Sequence, residues 1–189
     1  MILSDNDIKQ ALENKTLIID PIPNDEHIDT SAIDLRVGDE FYEWNPDLVK
    51  QAGVNVTVNI DHFDFKKLSE PYLAKVKKLP TGEYEIKPQK FYLASTFEYV
   101  KFPIKSLLAG RVEGKSSLAR LGLVVHMTAP TIHCGFGGVI TLEIFNYGPF
   151  PIVVTPKKSR LCQLIVETLS SKPEERSGKT FMDQKNPKG

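Results

Sequence analysis

The chain is divided into short apolar runs separated by proline, glycine, asparagine and aspartate, and this division most limits what it can fold into. Thirteen prolines and twelve glycines occur among 189 residues. The apolar runs are rich in β-branched and aromatic residues, which predicts strands bounded by turns. The predicted strands are 17–19, 33–37, 54–60, 91–96, 107–112, 139–145, 152–155 and 161–166.

One segment, 4–13, has the pattern of a helix. Ser4 is a good N-cap, Asp7 follows three residues later, and Ile8, Ala11 and Leu12 share one face. The sequence therefore predicts a mostly β domain over 1–170, a jelly roll or distorted β-barrel with one or two short helices.

Two regions fit this domain less well. The segment 61–88 is charged and irregular, and we expect a solvated insertion or hairpin arm there. The tail, 171–189, is polar apart from Phe181 and Met182, so that Phe181 either frays or docks as part of a lid.

Composition excludes several classes of function. There are 24 basic and 24 acidic residues, so no overall positive field exists to hold a nucleic acid. The N-terminus lacks the pattern of a signal peptide, and no run approaches the roughly 18 apolar residues of a membrane span. Two cysteines without CxxC spacing disfavour a disulfide framework. We expect a soluble cytoplasmic protein with no membrane or nucleic-acid partner.

The segment 114–120 has the residues of an anion-binding turn. Gly114, Lys115, Ser116, Ser117 and Arg120 supply a glycine, two cations and two hydroxyls within seven positions, a plausible cradle for a polyphosphate. It is not a P-loop, because that motif requires glycine at position 109, where alanine stands, and because the run 121–125 indicates a strand rather than a helix.

A single carboxylate, Glu143, is embedded in the predicted strand 139–145. Strand alternation places it on one face with Val139, Thr141 and Phe145. A glutamate on a solvated sheet face is the usual case, but these neighbours indicate enclosure. Enclosure would raise the pKa of Glu143 towards the range useful for proton transfer.

Other candidates favour structural interpretations. No histidine has a glutamate two residues later, and no Pro-Cys-x-x-Cys is present, so a zinc deaminase is excluded. The adjacent His133 and Cys134 are more often coincidental than a ligand pair. Asp34 and Arg36 alternate on one strand, and we expect a buried ion pair or a subunit contact.

Several segments together resemble the dCTP deaminases of the dUTPase-like superfamily. They are 1–5 (MILSD), 31–38 (SAIDLRVG), 113–123 (EGKSSLARLGL), 128–129 (TA) and 141–143 (TLE), and the similarity runs from residue 1 to about 168. The resemblance implies a homotrimer of distorted β-barrels with active sites between subunits. It implies hydrolysis of dCTP to dUTP and ammonia without a catalytic metal held by the protein, with Mg²⁺ bound through the substrate triphosphate.

The resemblance also assigns roles by position. Glu143 falls on the catalytic glutamate, Ser116 and Arg120 on the residues that line the reaction centre, and Ala129 on the alanine whose carbonyl orients the water. The implied substrate-binding residues are Lys115, Ser116, Ser117, Leu118, Ala119, Arg120, His133, Thr141, Leu142, Glu143 and, in a tail that closes over the nucleotide, Lys179 and Gln184. Feedback inhibition by dTTP is a further implication.

Two positions depart from the family pattern. Lys115 replaces an arginine, which keeps the charge but loses bidentate geometry. His133 stands where many relatives, including dUTP-hydrolysing ones, have an aspartate that positions the water attacking the α-phosphate. This favours a deaminase over a bifunctional deaminase–diphosphatase or a dUTPase that produces dUMP. A catalytically silent nucleotide-binding regulatory module is the alternative from another class.

Overall fold

The computed structural model describes residues 1–51, 57–174 and 187. The helices within these residues are α1 Asp5–Glu13, α2 Pro46–Gln51, α3 Phe65–Tyr72 and α4 Ser116–Ala119, with single 3₁₀ turns at Asp25–His27 and Ile104–Ser106. The strands are β1 Ile18–Asp20, β2 Ile28–Asp29, β3 Ala32–Arg36, β4 Tyr42–Trp44, β5 Leu73–Lys75, β6 Tyr84–Ile86, β7 Phe91–Lys101, β8 Leu108–Gly114, β9 Leu123–Val125, β10 Thr131–Ile132, β11 Gly137–Asn146, β12 Ile152–Val154 and β13 Arg160–Thr168.

Helix α1 begins where the sequence indicates. Ser4 and Asp7 form a reciprocal capping box: the amide of Asp7 donates to Ser4 Oγ at 3.3 Å, and the amide of Ser4 donates to Asp7 Oδ2 at 3.2 Å. Ile8 is fully buried and Ala11 nearly so. The predicted helix is confirmed, with its apolar face against the core.

The strands form two main antiparallel sheets and one two-stranded sheet. One main sheet has the order β5-β4-β7-β11-β9, with β1 also paired to β7, and the other has the order β10-β8-β13-β3-β2. Strands β12 and β6 form the two-stranded antiparallel sheet. The predicted mostly β, jelly-roll-like fold is confirmed, with the strands in separate sheets rather than in one closed barrel.

The core lies between the two main sheets. Leu35 of β3 and Leu164 of β13 belong to the same buried cluster as Ala94 of β7 and Leu142 of β11. All four are completely buried, and each such leucine contributes roughly 1.5–3 kcal/mol relative to exposure. The carboxylate-bearing strand β11 is an interior strand of its sheet, paired with β7 on one side and with β9 on the other.

Two expectations from the sequence are wrong. Residues 57–60 are not in a strand, and the rest of the predicted strand 54–60 lies outside the described residues. The segment 61–88 is not only a solvated arm, because it contains α3, β5 and β6. Tyr84 and Ile86 of β6 are 1% and 0% exposed, and the hydroxyl of Tyr84 donates to the carbonyl of Asp39 at 2.8 Å. The alternation of Tyr84 and Ile86 with charged residues is the sequence pattern that indicates β6, but the many charged neighbours made it hard to recognise.

Among the described residues, no helix is long and apolar enough to cross a membrane.

Candidate active site

The anion-binding turn connects β8 of one main sheet to β9, an edge strand of the other. It follows Gly114, the last residue of β8, and its residues 116–119 form the single helical turn α4, which leads into β9. The side chains of Ser116, Ser117 and Arg120 are exposed. The predicted β run over 121–125 is present as β9, after the single helical turn α4, and the argument against a P-loop from Ala109 is unaffected.

Lys115 is held by an ion pair to Asp34. Its Nζ contacts Asp34 Oδ2, and Asp34 also accepts a hydrogen bond from Gln163 Nε2 at 3.1 Å. Arg160 Nη1 lies 3.5 Å from the same carboxylate, which is only 8% exposed. Two cations thus surround one buried carboxylate, and Lys115 is tied to strand β3 at the start of the turn.

Asp34 and Arg36 belong to two different ion pairs. Arg36 Nε lies 2.6 Å from Glu98 Oε1, and the amide of Arg36 donates to Glu98 Oε2 at 2.9 Å. Glu98 is 1% exposed. The sequence predicts a buried ion pair on this strand, and both residues form one. The partner of Arg36 is 62 positions away, and that of Asp34 is 81 positions away.

Glu143 lies on the partly covered face of β11. The alternation is as expected, because Ile140, Leu142 and Ile144 face the core while Val139, Thr141, Glu143 and Phe145 are half-buried. The Glu143 side chain is 31% exposed, and its Oε2 is completely buried. The remaining exposure therefore belongs to the rest of the side chain. Leu142 is 0% exposed, so its side chain is part of the core and only its backbone is available to a ligand.

A histidine that the sequence did not single out, His126, contacts this carboxylate. Its Nδ1 lies 2.9 Å from Glu143 Oε2, and its amide donates to the carbonyl of Glu143 at 2.8 Å. The distance between the two side chains is short enough for a hydrogen bond, but their atoms are not aligned for one. Within the described part of the chain, neither ring nitrogen of His126 nor Oε2 of Glu143 has a hydrogen-bond partner. A rotation of the imidazole ring would align Nδ1 with Oε2 and complete the bond.

His126 has a left-handed backbone conformation. Its φ is +62°, a value uncommon outside glycine although histidine adopts it more often than most residue types, and its side chain is 6% exposed. A conformation of this kind marks His126 as a candidate functional residue. The only signal in the sequence was a histidine immediately after the apolar strand 123–125.

Two other predicted residues, Ala129 and His133, lie at the surface. The carbonyl of His133 accepts from the amide of Phe136 at 3.0 Å in the turn before β11. Cys134 is buried with its Sγ 3.6 Å from the carbonyl of Ile104, so the adjacent pair His133 and Cys134 points to no shared ligand.

Strand β9 connects the anion-binding turn to Glu143. Val125 pairs with Ile144 of β11, and β9 begins three residues after Arg120. Across residues 1–51 and 57–174, no hydrogen bond or ion pair joins Glu143 to Ser116, Arg120, Ala129 or His133. The described residues also contain no cluster of three or more His, Cys, Asp and Glu side chains that could hold a metal ion. The tail candidates Lys179 and Gln184, with Phe181, lie outside the described residues.

The chain matches the sequence profile of a family described as dCTP deaminase-like over residues 2–169. The chain belongs to this family. It is 40% identical over 184 residues to a protein of Methanosphaera stadtmanae named dCTP deaminase, dUMP-forming, covering 97% of this chain and 87% of the relative. It is 37% identical to the dCTP deaminase of Rhodospirillum rubrum, covering 90% and 84% of the two chains.

The fold of this dCTP deaminase-like chain has a counterpart among solved structures. The crystal structure of 2′-deoxycytidine 5′-triphosphate deaminase from Agrobacterium tumefaciens has a TM-score of 0.65 at 21% identity. The match covers 88% of this chain and 48% of that one, so this chain spans about half the length of the solved one. The likeness establishes the fold.

Proposed function

We propose that this protein hydrolytically deaminates dCTP, with Glu143 as the general base. The observation that carries the proposal is a half-buried carboxylate, on an interior strand of its sheet and contacted by a buried imidazole, in a chain that belongs to the dCTP deaminase-like family. A binding module has no need of a carboxylate at this position, which weighs against a silent regulatory role.

The proposed reaction adds water to C4 of cytosine and expels ammonia. Glu143 takes one proton from the attacking water and delivers it to N3, and the hydroxyl of the adduct supplies the proton that leaves with the amino group. One molecule of water and one of dCTP thus give dUTP and ammonia. The carbonyl of Ala129 orients the water in this proposal. Fixed dipoles in an enclosed site then replace solvent as the charge develops.

Ser116 and Arg120 supply the stabilisation of that charge. One preorganised donor of this kind is worth about 3 kcal/mol in the transition state. The triphosphate, which carries Mg²⁺ with it as part of the substrate, contacts the turn from Lys115 to Arg120. The exposed hydroxyls of Ser116 and Ser117 are available for this contact.

A second candidate is a bifunctional enzyme that also releases pyrophosphate and ends at dUMP. The specific observation in its favour is that the relatives from Methanosphaera stadtmanae and Methanobrevibacter smithii, 40% and 41% identical to this chain, are named dCTP deaminase, dUMP-forming. The expectation that the reaction stops at dUTP depends on His133 alone, and these relatives weigh against it.

The assembly is proposed to be a homotrimer whose subunits complete one another's sites. In the single chain, Ser116, Arg120 and Ala129 are all exposed, and the neighbouring Leu121 and Met127 are 46% and 40% exposed. A second copy over this face would cover both the apolar side chains and the substrate. Closure by the tail through Lys179 and Gln184, and inhibition by dTTP, remain predictions.

One product analysis tests these alternatives together. The purified protein is incubated with Mg²⁺ and, separately, with dCTP, CTP or dUTP, and the products are separated by chromatography. Ammonia with dUTP supports a deaminase alone, and ammonia with dUMP and pyrophosphate supports the bifunctional enzyme. Consumption of dUTP without that of dCTP would indicate a dUTPase, and binding without turnover would establish a regulatory module.

A further inference from the structure

Two glycine-containing turns are in direct contact beside the proposed site, one just after Arg120 and the other just after Asn146. Gly122, two residues after Arg120, has a φ of +91°, and a Cβ on it would lie 2.6 Å from the Cα of Gly148. A Cβ on Gly148 would lie 3.0 Å from the carbonyl carbon of Leu121 and closer still to its oxygen. The backbones on the two sides leave no room for any side chain, so the contact is fixed by the absence of Cβ atoms on both.

Asn146 holds the second of these turns. It is completely buried at the end of β11, three residues after Glu143. Its Nδ2 donates to the carbonyls of Ile86 at 3.0 Å and Phe150 at 2.8 Å, and its Oδ1 accepts from the amide of Gly148 at 2.9 Å. All hydrogen-bonding groups of the Asn146 side chain are therefore in use. They fix the shape of this turn and attach it to β6.

The two turns are also hydrogen-bonded to each other. The amide of Tyr147 donates to the carbonyl of Gly122 at 2.8 Å. The amide of Gly122 in turn donates to the carbonyl of Ala119 at 2.9 Å, which closes the helical turn bearing Arg120. A continuous path of short contacts thus runs from Glu143 along β11, through Asn146 and Gly148, to Gly122 and Arg120.

We infer that Asn146, Gly148 and Gly122 are positioning residues that fix Arg120 relative to Glu143. The inference rests on the proposed function, in which these two side chains act on the same cytosine. The start of the anion-binding turn is anchored separately, by Lys115 on Asp34. Disturbing the glycine contact therefore moves Arg120 while leaving most of the triphosphate contacts in place.

The chain offers a matched control for the test. Gly82 has the same φ of +91° as Gly122, but a Cβ on it would meet nothing within 4 Å. Gly82→Ala and Gly122→Ala therefore carry the same backbone strain, and only Gly122→Ala pushes the two turns apart.

The experiment measures kcat, KM for dCTP and the number of nucleotide sites titrated by calorimetry. We expect Gly122→Ala to lower kcat per bound nucleotide by about 30-fold or more, because small displacements of catalytic groups are costly, with KM changed by less than about threefold. Gly82→Ala is expected to remain within about twofold of wild type on both parameters, since exposed sites away from such contacts tolerate change.

A double-mutant cycle shows whether the effect passes through Arg120. In an Arg120→Lys background, Gly122→Ala should lower kcat by less than about threefold, because the effects of residues that act through one group are not additive.

If Gly122→Ala does not fold, Asn146→Asp is measured instead and judged by the same criteria. This substitution replaces the two donated protons of Asn146 by an oxygen atom. An undiminished loss in the Arg120→Lys background, an unchanged kcat, or loss of nucleotide sites rather than of turnover per site would each overturn the inference. Wild-type protein that releases no ammonia from dCTP would instead refute the proposed function.

Discussion

Nδ1 of His126 lies 2.9 Å from Oε2 of Glu143. This carboxylate oxygen is buried, and it has no hydrogen-bond partner among the described residues. An imidazole that donates from Nδ1 would fix the carboxylate and leave its second oxygen to the attacking water. The pairing of a base with an orienting group is a general feature of acid–base sites.

Replacing His126 separates this orienting role from packing. We expect His126→Leu to lower kcat by about 100-fold, because the carboxylate loses its donor, and His126→Asn to stay within about tenfold of wild type. Asparagine keeps a donor and tolerates the left-handed backbone at this position. The measurement is steady-state turnover of dCTP, with Lys15→Leu, at a φ of 59°, as a control for the backbone. Equal activity of the leucine and asparagine variants would show that the imidazole only fills space.

Lys115 tests whether the anion-binding turn holds the triphosphate. Lys115→Ala should raise KM for dCTP by about tenfold, since a charged hydrogen bond contributes roughly 1.5–3 kcal/mol, and should leave kcat nearly unchanged. Lys115→Arg should retain most of the affinity. Assays with dCTP and dCMP reveal the source of the effect. If both substrates are weakened equally, Lys115 acts through Asp34 on the fold rather than on the phosphates.

The ion pair of Arg36 with Glu98 is expected to affect the stability of the fold and not catalysis. Glu98→Ala leaves a partly buried guanidinium without its carboxylate, and we expect the free energy of unfolding to fall by about 3 kcal/mol. Urea unfolding followed by circular dichroism measures it. Lys67→Ala is the control, because Lys67 and Asp64 are 86% and 53% exposed and their ion pair should leave the denaturation midpoint unchanged. Similar midpoints for Glu98→Ala and Lys67→Ala would refute the structural role of the buried pair.

Cys162 should be chemically inert in the folded protein. It is completely buried, and burial raises the pKa of its thiol above the ordinary value, so little thiolate forms near neutral pH. Titration with a disulfide reagent should detect no reaction at Cys162 until denaturant is added, whereupon both cysteines of the chain react. Modification of native Cys162 at the rate of free cysteine would contradict the packing of β13.

Local patterns in the sequence predicted those parts of the fold that depend on local interactions. The capping residues Ser4 and Asp7 located α1, and period-2 alternation around Glu143 located the two faces of β11 correctly. Tyr84 and Ile86 show the limit of this reasoning, because charged residues on every side masked a short buried strand.

The contacts that build the candidate site are non-local, and spacing does not reveal them. Asp34 and Lys115 are 81 positions apart, and either could have paired with many other charges. His126 is positioned by a left-handed backbone conformation after β9, which no pattern in the sequence indicates. The close approach of Gly122 and Gly148 likewise follows from the pairing of β9 with β11, not from either segment alone.

The most direct test of the account is ammonia release from dCTP by the wild type and by Glu143→Gln, each shown by circular dichroism and nucleotide titration to be folded and to bind dCTP. We predict release by the wild type and less than about a tenth of that rate for the variant, because the amide cannot accept the proton from water. Retention of more than about a tenth of wild-type turnover by Glu143→Gln would contradict the assignment of Glu143 as the base.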